Sequence, residues 1–243
     1  DNVTVKVKFP GVQECIDSDL NSLVMFLTAS SLLPKGLFLG KTIDNARTEL
    51  GWECDYNREA NCIEKFGTLL KDDPVFRIPK VYKELTTDMV LTMERMEGLE
   101  IMKYAETASQ EWKDFVCTEI MRLCLQEIAQ YRYMQTDPNW ANFLYNDKTK
   151  KIELIDFGAS REYPEEFINH YRQLLTSAVK KDRKKCQEYS QKLGYLLGLE
   201  SQQMVDAHVD SVMVLGEPFA KPGLFDFKNQ TVTDRIRGNI SVM

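Results

Sequence analysis

Apolar and polar residues alternate through Val3-Thr4-Val5-Lys6-Val7, and Phe9-Pro10-Gly11-Val12 ends the run, so the chain opens in a strand. The period then changes. Ile16, Leu20, Leu23, Phe26 and Leu27 recur at helical spacing and predict an amphipathic helix over about residues 13–31. A second long helix is expected to carry Glu49 to Ala60, and residues 75–96 read as two strands about the turn Thr86-Thr87-Asp88. From Glu111 to Tyr133 the apolar positions Phe115, Val116, Ile120, Leu123, Cys124, Leu125, Ile128 and Tyr131 predict a helix with one buried side. Phe143-Leu144-Tyr145, the turn Asn146–Lys150 and Ile152, Leu154 and Ile155 predict a hairpin. Three helices follow, at about 164–180, 183–197 and 201–215, with Leu224-Phe225-Asp226-Phe227 as a loop packing on them. A further helix is expected to start at Val242-Met243, and the missing initiator Met marks the chain as an expected piece of a longer protein.

Composition narrows the classes. With 243 residues, 43% of them hydrophobic, the chain can bury one large or two small cores. No apolar run is long enough to span a bilayer. The net charge of −6 argues against a nucleic-acid surface. The one basic cluster, Lys180, Lys181, Arg183, Lys184 and Lys185, sits where two helices are expected to meet and reads as a solvated helix end. Six cysteines show no C-x2-C spacing, and His170 and His208 have no metal-spaced partner, so reduced thiols and ordinary helix histidines are expected.

The chemistry is concentrated between Gln135 and Gly158. Asp137 is followed five residues later by Asn142, and the hairpin then leads into Asp156-Phe157-Gly158. That order is the spacing of kinase-type phosphoryl transfer. One carboxylate, Asp137, faces the attacking hydroxyl or water; the Asn142 amide and the Asp156 carboxylate hold the Mg²⁺ that bridges the phosphates of ATP. Such a site also needs a strand lysine for the α/β-phosphates, paired with a helix glutamate. Lys6 fits, with Lys8 on the same strand face as its rival. Asp55 and Glu59 would share a helix face at i, i+4, and Glu59 is the favoured partner of the lysine, with Glu53 second. Met93 to Gly98, Glu94 and Met96 included, is where adenine would hydrogen-bond to the backbone.

Lys6 with Pro10-Gly11-Val12, the inserted helix, Glu53-Cys54-Asp55-Tyr56 and the string Gln135-Thr136-Asp137-Pro138-Asn139-Trp140 together resemble the UbiB (ADCK-type) family of atypical kinases, nearest its mitochondrial members. The resemblance implies a kinase-like ATP-binding fold, ATPase activity, and association with coenzyme Q biosynthetic proteins at the matrix face of the inner mitochondrial membrane. Glu53 and Asp55 match the family's Glu-x-Asp motif, which contacts a Lys-x-Gly-Gln segment. Neither that segment nor the family's alanine-rich nucleotide loop occurs among these residues.

Independently of family, only five residues separate Gly158 from Pro164. A peptide-docking segment of roughly 20–30 residues cannot fit there. The acceptor is therefore expected to be water, a small molecule or a lipid, and the UbiB resemblance implies a lipid or quinone-precursor ligand at a membrane surface. The expected architecture is an α+β, bilobal protein-kinase-like fold: a truncated small lobe with an inserted helix (residues 1–96) and a mostly helical large lobe (97–243). Two other readings stand beside it. One is a small-molecule kinase of the choline or aminoglycoside type; the other is a pseudokinase scaffold that binds nucleotide or lipid without turnover.

Overall fold

The computed structural model describes residues 2–29 and 39–240 and forms two compact units, Asp1–Glu162 and Tyr163–Met243. The lobe boundary expected at residues 96 and 97 lies inside the first unit.

In the first unit, β1 (Val3–Val7) leads into α1 (Val12–Ala29), α2 (Leu39–Glu53) and α3 (Tyr56–Leu69). β2 (Phe76–Arg77), β3 (Val90–Glu94) and β4 (Leu99–Glu100) follow, then the short α4 (Ile101–Ala105) and the long α5 (Gln110–Gln126). α5 runs on into a π-helical turn (Glu127–Tyr131), which Arg132 ends in the left-handed conformation. β5 (Tyr133–Gln135), the hairpin β6 (Phe143–Asn146) and β7 (Lys151–Leu154), and β8 (Ser160–Glu162) complete the unit.

Three small sheets result. β1 pairs antiparallel with β3, setting Lys6 opposite Leu91, and Val81 adds an isolated bridge to Met93. β2, β7, β6 and β4 form the second sheet, with β2 parallel to β7 and the rest antiparallel. β5 and β8 form the third, with Gln135 opposite Ser160. The core runs through all three layers and includes Ile63, Phe66, Phe76, Leu91, Leu123, Ile152 and Phe157. The Phe66 ring lies 5.2 Å from those of both Tyr133 and Phe157, a tilted aromatic cluster that fixes α3 over the segment after Asp156.

Several elements differ from the sequence expectation. The helix expected over 13–31 is α1, and Ser31 lies outside the described residues. The long helix through Glu49–Ala60 is two helices, broken at Cys54-Asp55. Asp55 caps α3, its side chain accepting the Arg58 N–H at 2.9 Å, because that oxygen satisfies a first-turn donor the helix cannot. Before β3, residues 75–96 hold the two-residue β2, the bridge at Val81 and a 3-10 turn at Lys83–Leu85, and β2 pairs with the hairpin and not with β3. On α5 the buried positions are Val116, Ile120 and Leu123; Phe115 and Leu125 are exposed, and Tyr133 belongs to β5.

The second unit is helical: α6 (Glu165–Val179), α7 (Arg183–Lys192), α8 (Gln202–Leu215) and α9 (Val232–Ile240). Leu174, Ala178, Cys186, Leu196, Val205 and Val209 form its core. A β-carbon on Gly216 would stand 2.8 Å from the Ala178 carbonyl carbon, so the end of α8 packs directly on α6 backbone. The loop Leu224–Phe227 does not bury its hydrophobic ends: Leu224 is fully exposed and Phe227 half-exposed. The last described helix is α9, upstream of the expected start at Val242-Met243. All six cysteines are free thiols, and His208 bonds Ser190 at 3.0 Å. No described helix is long and apolar enough to cross a membrane.

Candidate active site

Alternation on β1 sends Val3, Val5 and Val7 to one exposed side and leaves Thr4 and Lys6 half-buried on the other. The Lys6 ammonium donates to Glu59 Oε1 at 2.5 Å and to Asp156 Oδ2 at 3.4 Å. Burial pulls the Lys6 pKa down, but the charges of Glu59 and then Asp156 outweigh it and hold the group above the usual lysine value. Glu59 lies deeper, only 3% exposed, and burial pushes its carboxyl up against the attraction of Lys6. Lys8, the rival lysine, turns instead to the Cys54 carbonyl at 3.0 Å. The structure therefore brings Lys6, Glu59 and Asp156 together.

The break between α2 and α3 separates the acidic residues before Glu59. Asp55 is the cap of α3, its side chain taken up by the Arg58 N–H, whereas Glu59 reaches Lys6. Glu53, at the end of α2, lies over Gly158: a β-carbon there would stand 2.7 Å from Glu53 Oε2. Its pKa is raised, first by burial and then by the negative charges of Asp156 and Glu59. Glu53 thus adds a further carboxylate beside Asp156, without touching Lys6.

Asp137 and Asn142 lie on the loop between β5 and β6. The Asn142 side chain donates to the Asp137 carbonyl at 3.2 Å, and the Asn139 N–H bonds the same oxygen at 2.8 Å. These bonds stiffen the loop and leave the Asp137 carboxylate exposed. The Asn142 carbonyl accepts the Ile155 N–H at 3.2 Å, tying the loop to the residue before Asp156. Asp156 Oδ1 accepts the Gly158 N–H at 3.1 Å, while Phe157 is wholly buried and anchors the turn.

Glu94 and Met96 behave differently. The Glu94 carboxylate is taken up by Arg77 at 2.6 Å and the Lys80 N–H at 3.2 Å, and Met96 is buried. At these two positions only the backbone groups remain for a ligand.

Three residues that organise the site were missed in the sequence. Glu153, wholly buried, accepts the Gly98 N–H at 2.9 Å and the Asn146 side chain at 2.8 Å, joining the Met93–Gly98 segment to the hairpin. Its only signal is a charge between Ile152 and Leu154 in a buried strand. Arg58 donates to the carbonyl of Gly158 at 2.5 Å and to that of Ser160, holding the segment after Asp156 from the residue next to Glu59. Glu127, 2% exposed, continues the stripe of Val116, Ile120 and Leu123; burial raises its pKa to about 8, and the Gln135 N–H it accepts offsets only part of this.

No group of three or more His, Cys, Asp or Glu among the described residues could cage a metal. The available donors, one amide at Asn142 and one carboxylate at Asp156, are hard oxygens. They suit a Mg²⁺ ion that keeps waters and takes its remaining ligands from phosphates.

The ABC1 atypical kinase-like domain matches residues 1–190. The chain is similar to the mitochondrial atypical kinase COQ8 of Saccharomyces cerevisiae, 68% identical over 243 residues, covering 99% of this chain and 48% of that protein. It is similar also to the mitochondrial atypical kinase COQ8 of Schizosaccharomyces pombe, 51% identical over 243 residues, covering 99% of this chain and 40% of that one. The chain thus spans about half, or less, of the length of these curated relatives. Among solved structures, the complex of Rv3197 with erythromycin from Mycobacterium tuberculosis superposes with a TM-score of 0.66 over 98% of this chain and 66% of that one. At 20% identity that likeness concerns the fold, which is kinase-like α+β.

Proposed function

The chain belongs to the ABC1 atypical kinase-like family, and from that premise we propose that it binds Mg-ATP at Lys6, Asn142 and Asp156 and turns it over by hydrolysis or by transfer to a small molecule or lipid. The observation that carries this reading is the convergence of Lys6, Glu59 and Asp156 from three elements far apart in sequence.

In this reading each group has one task. Glu59 holds the Lys6 ammonium at the α/β-phosphates. Asp156 and Asn142 hold Mg²⁺, which when bound neutralises phosphate charge. Asp137, exposed on a loop stiffened through its own carbonyl, orients the attacking water or hydroxyl and takes its proton. Backbone groups near Glu94 and Met96 receive adenine. Glu53, with a raised pKa and a position over Gly158, adds negative charge near Asp156; with Asp55 it is the pair that the UbiB resemblance assigns to a Lys-x-Gly-Gln contact.

The acceptor is small. Of the five residues after Gly158, Ser160 to Glu162 are already committed to pairing with β5, which leaves no peptide platform. Support of coenzyme Q synthesis at the matrix face of the inner mitochondrial membrane, with coenzyme Q biosynthetic proteins as partners, is the setting we propose for the whole protein.

The test is Asp137→Asn in the full-length protein. Phosphate release from Mg-ATP is expected to fall by about 10²-fold or more, the usual worth of a general base, with nucleotide affinity unchanged. Release at the parental rate would remove Asp137 from this role.

A further inference from the structure

Away from the Lys6 face, α3 borders a second open site. A groove of about 480 Å³ runs between α3 and the β5–β8 pair, lined among others by Trp52, Arg58, Lys65, Ser160 and Arg161. Arg58 and Lys65 are seven residues apart and so project from one side of the helix. Arg58 and Arg161 both lie over the Trp52 ring, at 4.4 and 5.3 Å, and Lys65 lies over Tyr133 at 4.0 Å. Aromatic faces therefore hold three cations around one space.

One carboxylate, Glu162, also lines the groove. Lys65 pairs with Glu162, and Arg161 with Glu49 at 3.8 Å; both glutamates are well exposed, and exposed pairs contribute little. Ser160 is wholly buried, and its hydroxyl has no hydrogen-bond partner. It sits opposite Gln135, whose side-chain oxygen is likewise unpartnered, so the anion-binding groups of the groove are the three cations.

We infer that this groove is an anion site that takes a phosphate group through Arg58, Lys65 and Arg161. A tetrahedral oxyanion offers acceptors in several directions at once, which suits donors arriving from a helix and a strand. The volume leaves room for a small organic body attached to the phosphate. Occupancy bears on the proposed ATP site, because Arg58 also holds the carbonyls of Gly158 and Ser160. A bound anion that draws on Arg58 acts on the segment next to Asp156.

The experiment titrates the full-length protein with inorganic phosphate at constant ionic strength, by calorimetry and by amide exchange at residues 158–162. The parent binds and its exchange slows. The Lys65→Gln/Arg161→Gln variant binds at least tenfold more weakly, a loss of about 1.4 kcal/mol. Both side chains are part-exposed, so this variant folds, which circular dichroism checks. Lys6→Ala, its folding checked by circular dichroism because Lys6 pairs with buried Glu59, separates the two sites: the folded variant keeps phosphate binding if the anion sits in the groove. Absence of binding in the parent, equal binding in the double variant, or loss confined to Lys6→Ala overturns the inference, and the last outcome places phosphate at the proposed nucleotide site. Phosphatidylcholine vesicles with and without phosphatidic acid identify the source. Sedimentation that depends on phosphatidic acid and is lost in the double variant means a lipid headgroup, and otherwise the phosphate is that of a soluble compound.

Discussion

Lys6 and Glu59 stand 53 positions apart in the chain, yet their side chains meet at 2.5 Å, with Glu59 almost fully buried. A carboxylate at that depth is costly without its partner. Lys6→Met is therefore expected to lower the unfolding free energy by about 3 kcal/mol, and the added change Glu59→Leu to recover much of it. A double-mutant cycle by urea denaturation reads this directly. Additive losses at the two positions would mean that the pair does not matter to the fold.

Two glycines lie in close approaches of different kinds. A β-carbon at Gly98 would meet Leu144 Cβ at 2.8 Å and the Tyr145 carbonyl carbon at 3.0 Å, neither of which can move without shifting the hairpin. At Gly158 it would meet only the end of the Glu53 side chain, which can swing away. Gly98→Ala should cost about 2 kcal/mol or more, and Gly158→Ala about 1 or less. The milder variant should still alter nucleotide affinity, because Glu53 leaves its place beside Asp156. Equal thermal stability of the two variants would contradict this comparison.

Glu127 makes stability depend on pH. Its folded pKa of about 8 lies above the ordinary 4.5, so the folded state binds the proton more tightly. Its favourable contribution is complete below about pH 4.5 and is lost as pH rises toward 8. Glu127→Gln keeps an acceptor for the Gln135 N–H and has no charge to bury. Between pH 5.5 and 7.5 in metal-free buffer, the variant should gain steadily on the parent, by about 1 kcal/mol or more in all. Parallel urea midpoints across that range would assign the titration elsewhere.

Where a local period carried the information, the sequence was readable. Alternation marked β1 and so put Lys6 on the inward side, and the hairpin placed Asp156 at a strand end. Less was visible where a single polar atom decides the geometry. The break at Cys54-Asp55 depends on one carboxylate capping α3, which the helical period from Glu49 to Ala60 does not show. Glu127 is hard to see in the pattern, because a charge in a hydrophobic stripe reads as an interruption, whereas position 127 is where the buried stripe continues and Ile128 is only part-buried. Arg58 and Glu153 act on backbone groups distant in sequence, and no periodicity signals such bonds.

Calorimetric titration of the full-length protein with ATP, in the presence and absence of Mg²⁺, compared with Asp156→Asn, tests the proposed nucleotide site most directly. Asp156 is part-exposed at a strand end, so the variant should fold. The parent is expected to bind ATP more tightly with Mg²⁺, and the variant to lose that gain and bind Mg-ATP at least tenfold more weakly, about 1.4 kcal/mol. Equal Mg-ATP affinity in parent and variant would contradict the assignment of Asp156 and, with it, the site.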